Sequence, residues 1–288
     1  MHTTGSAQEG VFQPRAPESS PELRTVFGTT RLGFVAIVLS CLPLAGCRTP
    51  GPLHLYLHHT DRADASADQV LDASPRSGAV IDTVPACNMP AEEIIGIAYD
   101  PFTDHFYLRL SPGNRVRVVD RPAAALKREF TAPDLPLGGH DLAVRQRDRH
   151  LFFTDPTGPA LLETSIYGVL RKRIVLAGLV APAWGLACDE RDDLFLILPA
   201  ETTDRIHRFS RRGLAVDELK LERMVRGQSL AFDSELREFF ATLADGSGIG
   251  VFTEDGRLAR TLPASSPPNP ASPDLLIDVG PRSLIRIF

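Results

Sequence analysis

Gly185-Leu186-Ala187-Cys188-Asp189 recurs along this chain. Gly96-Ile97-Ala98-Tyr99-Asp100 has the same form, and so has Ser229-Leu230-Ala231-Phe232-Asp233. Asp141-Leu142-Ala143-Val144 matches until its last position, where Arg145 replaces the aspartate. The central alanines, Ala98, Ala143, Ala187 and Ala231, are separated by steps of 45, 44 and 44 residues. One further step of 45 reaches a degraded fifth copy, Asp274-Leu275-Leu276-Ile277-Asp278.

Each full repeat follows one order of elements. Strand a is the Gly-Leu-Ala-x-Asp stretch, and a polar turn follows it. Strand b is aromatic and aliphatic, as in Leu151-Phe152-Phe153 and Phe239-Phe240-Ala241. A Gly/Pro/Asp loop leads to an alternating strand c, as in Arg205-Ile206-His207-Arg208-Phe209. A tight turn with Gly168, Gly213 or Gly256, where a positive φ is needed, leads to strand d. Four short strands in about 44 residues make a twisted antiparallel sheet that cannot bury both faces alone. Packing such sheets face to face around an axis does so, and a period in the forties marks the β-propeller blade.

The expected fold is therefore all-β: a propeller of about five four-stranded blades, with six as the alternative. Repeats begin near residues 94, 139, 183, 227 and 273, within one domain over 48–288. Leu53 to His58, Gln69 to Asp72 and Ala79 to Val84 read as strands. The C-terminus offers two more, Leu275 to Val279 and Ser283 to Phe288, so strands from both termini are expected to close the ring. The run Pro263 to Pro273 is the connection into that blade. The small alanine of strand a lets neighbouring blades approach near the axis.

Residues 1–31 are polar and rich in Ser, Thr, Pro and Glu. They are expected to be disordered, or in part never made if Val26 is the true start. Residues 32–47 read as an export signal. The apolar run Leu32 to Leu44 is too short for the ~20 residues of a membrane span. It ends in Leu44-Ala45-Gly46-Cys47, which resembles the bacterial lipobox, whose cysteine takes the lipid. That resemblance implies an exported protein held in the cell envelope by a lipid on Cys47. Arg48 beside it is similar to outer-membrane lipoproteins, on the periplasmic side or the surface. Cys87 and Cys188 remain and are expected as two separate buried thiols. A net charge of −5 gives no electrostatic reason for nucleic-acid binding.

The repeat resembles those of NHL, YVTN and SMP-30-like propellers, carried by Trp184 to Asp189, Arg205 to Phe209 and Thr253 to Leu258. The SMP-30 resemblance implies a lactonase-type hydrolase holding a divalent cation with Asn, Asp and Glu ligands around the axis. One such ligand is commonly an Asn just before strand a. Here those positions hold Ile95, His140, Trp184, Gln228 and Pro273, none of them Asn. No metal set, cofactor or catalytic group is therefore expected, and a hydrolase with an atypical axial site is the alternative. The adjacent His58 and His59 point to opposite faces of a strand and are expected at a solvated strand end. The leading expectation is a binding or scaffold module. His140, Trp184 and Gln228 would gather at one mouth of the axial channel, on the face of the d–a and b–c loops. Asp155, Glu201 and Asp245 would ring it further out. A lone Trp among polar groups suits a peptide, protein or carbohydrate ligand.

Overall fold

The computed structural model describes residues 50–59, 69–89, 92–263 and 275–283. The expected N-terminal extension, the apolar run, the lipobox with Cys47, the run 264–274 and the tail 284–288 lie outside the described residues. Among the described residues every regular element is a β-strand.

Five four-stranded antiparallel sheets form. The first blade joins β1 (Pro50–His59), β2 (Gln69–Ala73) and β3 (Val80–Pro85) to β20 (Leu275–Ser283), in the order β20-β1-β2-β3. The second holds β4 (Ile94–Asp100), β5 (His105–Leu110), β6 (Arg115–Asp120) and β7 (Ala125–Thr131). The third holds β8 (Leu142–Arg145), β9 (His150–Thr154), β10 (Ala160–Thr164) and β11 (Leu170–Val175). The fourth holds β12 (Gly185–Asp189), β13 (Leu194–Leu198), β14 (Thr202–Ser210) and β15 (Ala215–Arg226). The fifth holds β16 (Ala231–Asp233), β17 (Glu238–Thr242), β18 (Ile249–Phe252) and β19 (Leu258–Leu262). The inner strands β20, β4, β8, β12 and β16 contact one another in a ring, which makes a five-bladed propeller.

The core lies between the blades. Each of the five hydrophobic clusters spans one boundary, as where Tyr107, Val116 and Val118 of the second blade meet Leu142, Leu151 and Phe153 of the third. The repeated alanines are buried in these boundaries. Close approach also requires the glycines of strand a: a Cβ on Gly185 would stand 2.6 Å from the Gly227 carbonyl oxygen. The c–d turns take positive φ at Gly168, Gly213 and Gly256, as their sequence implies, and at Ala124 in the second blade, where no glycine is present.

Both termini close the ring, as expected. Among the described residues the C-terminal part supplies one continuous strand, β20, and the N-terminal part supplies three; the expected strand Ser283 to Phe288 lies, past its first residue, outside the described residues. An inner edge strand has a ladder on one side alone, so it tolerates Pro281, and the pairing shifts register there, where Leu53 and Pro50 face Pro281 and Ser283. The fifth copy also sits in a different register. Asp278 lies opposite Tyr56, as Ala98 lies opposite Tyr107, Ala143 opposite Phe152 and Ala231 opposite Phe240. Asp278 therefore occupies the alanine position and not that of the closing aspartate. A two-residue slip leaves the in–out alternation unchanged, so the hydrophobic pattern does not reveal it.

His58 is buried, contrary to expectation, because β1 pairs with β2 on one side and β20 on the other through that residue. Cys87 and Cys188 are free thiols, and both are half-buried instead of fully enclosed.

Candidate functional site

The aspartate that closes the repeat has a structural task in two blades. Asp100 Oδ1 accepts the Phe102 amide at 2.9 Å, and Asp189 Oδ1 accepts the Arg191 amide at 3.0 Å. This fixes the a–b turn and aims the other oxygen across the boundary to the next blade. There Arg149 Nη2 lies 2.8 Å from Asp100 Oδ2, and Arg237 Nη1 lies 2.5 Å from Asp189 Oδ2. Arg149 and Arg237 hold the positive-φ position of their own turns, four residues past the strand-a terminus, as Asp104 and Asp193 do. Between the third and fourth blades the charges are exchanged: Arg145 Nη2 meets Asp193 Oδ1 at 2.7 Å.

Among the described residues two boundaries show no such clasp, and both involve the first blade, where β20 and β1 are not consecutive in the chain. Asp104 turns instead to Arg121 of its own blade, at 2.5 Å, and accepts the Tyr99 hydroxyl at 2.8 Å. Asp233 of the fifth blade keeps its turn, with Oδ1 accepting the Glu235 amide at 2.9 Å. Among the described residues no arginine or lysine pairs with Asp233.

A cavity of about 380 Å³ opens at this end of the ring, between the C-terminal halves of the inner strands and the a–b turns. Its volume lies in the range of small-ligand sites. Leu142, Leu186, Phe232 and Val279 line it, together with Glu190, Asp233, Glu235, Asp278 and Arg282. Arg282 is already committed to the buried Asp72, so the wall has an excess of acidic groups.

Asp278 is the central one. It projects from the alanine position and bridges two blades, accepting the Val279 amide at 2.8 Å and the Tyr99 amide of the second blade at 2.5 Å. Burial pushes its carboxyl up to about 7, against the lowering effect of the two amides. Burial likewise raises Glu190 and Asp233 above the ordinary carboxylate range. Asp141 makes a parallel bridge further along the axis, accepting the Leu142 amide at 2.9 Å and the Leu186 amide at 3.0 Å. Burial raises Asp141 well above its usual range, and the charge of Asp278 adds to that.

At the opposite ends of the inner strands, His140 stacks on Trp184 with ring centroids 3.8 Å apart and planes inclined by 12°. Burial lowers the His140 pKa, Arg109 lowers it further, and Glu201 opposes both. The fully buried Arg109 supports this end, donating to the carbonyl oxygens of Gly113 at 2.9 Å, Asp141 at 2.9 Å and Gly138 at 2.8 Å. Burial pulls its pKa down to about 10. Gln228 is half-buried and Glu201 exposed. Asp155 is buried in its own blade, with Arg173 Nε at 2.7 Å and Thr157 Oγ1 at 2.6 Å. Asp245 is exposed and accepts Arg223 Nη2 at 2.5 Å.

Asp148, His150 and Glu163 bring three potential metal-ligating atoms within 4.8 Å of one another. Arg145 and Arg211 stand 2.9 Å and 2.7 Å from Asp148 Oδ2, and His150 Nδ1 lies 2.6 Å from Glu163 Oε1. Two guanidinium groups already neutralise this cluster, which fits an ion-pair network better than a metal site.

No protein-family pattern matches the chain, and no curated protein does. Solved structures are similar in fold. A chain of the nidogen/laminin complex aligns over 81% of this chain and 100% of its own, with 14% identity and a TM-score of 0.54. A protein of unknown function from Bacteroides caccae aligns over 74% of each chain, with 14% identity and a TM-score of 0.45. Virginiamycin B lyase from Staphylococcus aureus aligns over 70% of this chain and 66% of its own, with 16% identity and a TM-score of 0.44.

Proposed function

We propose that this protein is a lipid-anchored envelope module that binds a small organic cation in its axial cavity. The observation that carries this reading is Asp278: the repeat puts a small residue at its position, and here a carboxylate enters the cavity instead. Its neighbours Glu190, Asp233 and Glu235 add to the negative wall, while Phe232, Leu186 and Val279 suit an apolar stem. Carboxyls whose pKa values are shifted by burial and that line a concave site are the kind of group from which binding and catalytic sites are built.

The lipid anchor is part of the proposal. Cys47 stands three residues before Pro50, where β1 begins beside the end of β20. A lipid on Cys47 would hold the a–b turn end of the ring within about 10 Å of the bilayer surface. Such a gap favours a small ligand over a globular partner.

A thermal-shift panel of small organic cations, anions and sugars tests the reading. Cations are expected to raise the melting temperature. Asp278→Ala, which restores the residue type of the repeat, is expected to weaken that effect at least tenfold in apparent affinity. A panel in which sugars or anions stabilise and cations do not would reject the cavity reading.

The opposite end offers a second reading, favoured by the stacked His140–Trp184 pair. With Gln228 beside it and Glu201, Asp155 and Asp245 further out, that face is proposed as a contact surface for a peptide or carbohydrate. Loss of carbohydrate or peptide binding in Trp184→Ala, with cation binding intact, would support it.

A further inference from the structure

We infer that Asp233 is the anchor for a guanidinium group, and that a ligand supplies the arginine which the described residues do not provide at the boundary between the fifth and first blades. This rests on the reading of the axial cavity as the binding site. The argument comes from the repeat. Asp100, Asp189 and Asp233 end equivalent strands, and each has Oδ1 pinned by the amide two residues on, at 2.9, 3.0 and 2.9 Å. That contact fixes the carboxylate in its turn: in Asp100 and Asp189 Oδ2 then meets the next blade, and Asp233 lines the cavity. In the first two cases the partner is an arginine of the next a–b turn, which reaches Asp100 through Nε at 3.1 Å and Nη2 at 2.8 Å. In the third the next blade is the composite one, whose β20 and β1 are not consecutive in the chain, and among the described residues no a–b turn brings an arginine there.

Asp233 is nevertheless 5% exposed and lines the cavity. A carboxylate so buried, without a cation among the described residues, is costly unless something pairs with it. Glu235 and Glu238 make its surroundings still more negative. A preorganised carboxylate of this kind favours the planar, fork-shaped guanidinium over a point charge. The volume of about 380 Å³ admits a short alkyl stem behind that group. The chemistry is shared by a free guanidino compound and an arginine side chain of a peptide.

The test is calorimetric titration of the full chain with butylguanidinium, butylammonium and the neutral isostere butylurea. Butylguanidinium is expected to bind at least tenfold tighter than either of the others, and Asp233→Asn to erase that preference. Asn keeps an acceptor for the Glu235 amide, so the turn is retained. A second measurement needs no variant: in the ¹⁵N-labelled wild-type protein, butylguanidinium should shift the Glu235 and Leu236 amides and butylurea should not. Equal binding of butylurea, or of butylammonium, would overturn the inference while leaving a cavity that binds ligands. Binding that leaves those amides unmoved would overturn it too. Failure of all three compounds to bind also overturns it, and the cation panel then decides the cavity reading separately. If butylguanidinium behaves as expected, an arginine-containing tripeptide amide distinguishes the two sources. Tighter binding of the tripeptide points to a peptide ligand, and exclusion of the tripeptide points to a free guanidino compound.

Discussion

Arg145 Nη2 and Asp193 Oδ1 lie 2.7 Å apart across the boundary of the third and fourth blades, with charges reversed relative to Asp100–Arg149 and Asp189–Arg237. The one full repeat whose closing aspartate is replaced by arginine has kept the clasp and exchanged its ends. Each end depends on the other, because Arg145 is buried and also holds Asp148 at 2.9 Å.

A charge reversal tests this. Arg145→Asp sets a carboxylate against Asp193 and Asp148 and is expected to cost about 1–3 kcal/mol, between the values for exposed and buried pairs. Adding Asp193→Arg rebuilds the arrangement of the neighbouring boundaries, and arginine already tolerates this backbone position at Arg149 and Arg237, with φ of 57° and 58°. The double variant should recover at least half of the loss in chemical denaturation. Simple addition of the two single effects would mean that the pair is not coupled.

The second prediction concerns pH. Burial raises the Asp278 carboxyl from 3.8 to about 7 in the folded chain. Below about pH 4 the folded and unfolded chains both hold this proton. Between about pH 4 and pH 7 the folded chain keeps a proton that the unfolded chain has released, so stability falls as pH rises and then levels off. The full window is worth up to about 4 kcal/mol. Asp141 is shifted in the same direction and adds with the same sign. Denaturation of wild type and Asp278→Asn at pH 5 and pH 7.5 reads the difference directly. The wild type should lose the greater stability over that interval, and parallel losses would show that Asp278 is ionised throughout.

The blade count and strand order are legible in the sequence because a repeated pattern averages over local ambiguity. Ala98, Ala143, Ala187 and Ala231 report the same packing constraint, and the glycines at 168, 213 and 256 report the same turn. The cavity is not legible in this way. Its acidic wall joins Glu190, Asp233 and Glu235, which look like ordinary turn residues, to Asp278, whose register the period alone places two residues away. The pairing of Arg145 with Asp193 could have been suspected, since the turn position four residues past strand a alternates as Asp104, Arg149, Asp193 and Arg237.

Ala124 is a defect in the c–d turns that can be repaired. It has φ of 50°, where Gly78, Gly168, Gly213 and Gly256 have φ of 72°, 82°, 80° and 83°. A Cβ in that region costs roughly 1 kcal/mol, partly offset by the greater freedom of glycine in the unfolded chain. Ala124→Gly is therefore expected to leave stability unchanged or raise it by up to about 1 kcal/mol. That corresponds to at most about 2–4 °C in melting temperature for a domain of this size. The reverse change, Gly168→Ala, should destabilise clearly, because a Cβ there meets the Phe130 ring at 2.6 Å as well as the unfavourable φ. If Ala124→Gly lowers the melting temperature, the turn owes its shape to the alanine and not to tolerance of it.

The last prediction joins the lipid to the cavity. Mass spectrometry of the mature protein is expected to find a diacylated or triacylated Cys47, since a single chain binds a membrane only marginally. With only Arg48 and Thr49 between that cysteine and Pro50, the ring should then lie on the bilayer with its a–b turns downward. Paramagnetic lipid headgroups in vesicles should broaden the amides of Gln146, Glu190 and Ser234, which border the cavity, more than those of His140, Trp184 and Gln228. A long Gly/Ser insertion directly after Cys47 should abolish that contrast without changing the melting temperature, because it lengthens the tether and touches no blade. Broadening that is equal on the two ends in the unmodified protein would remove the membrane from the account of the cavity. The ligand would then have to be sought among soluble cations arriving from any direction.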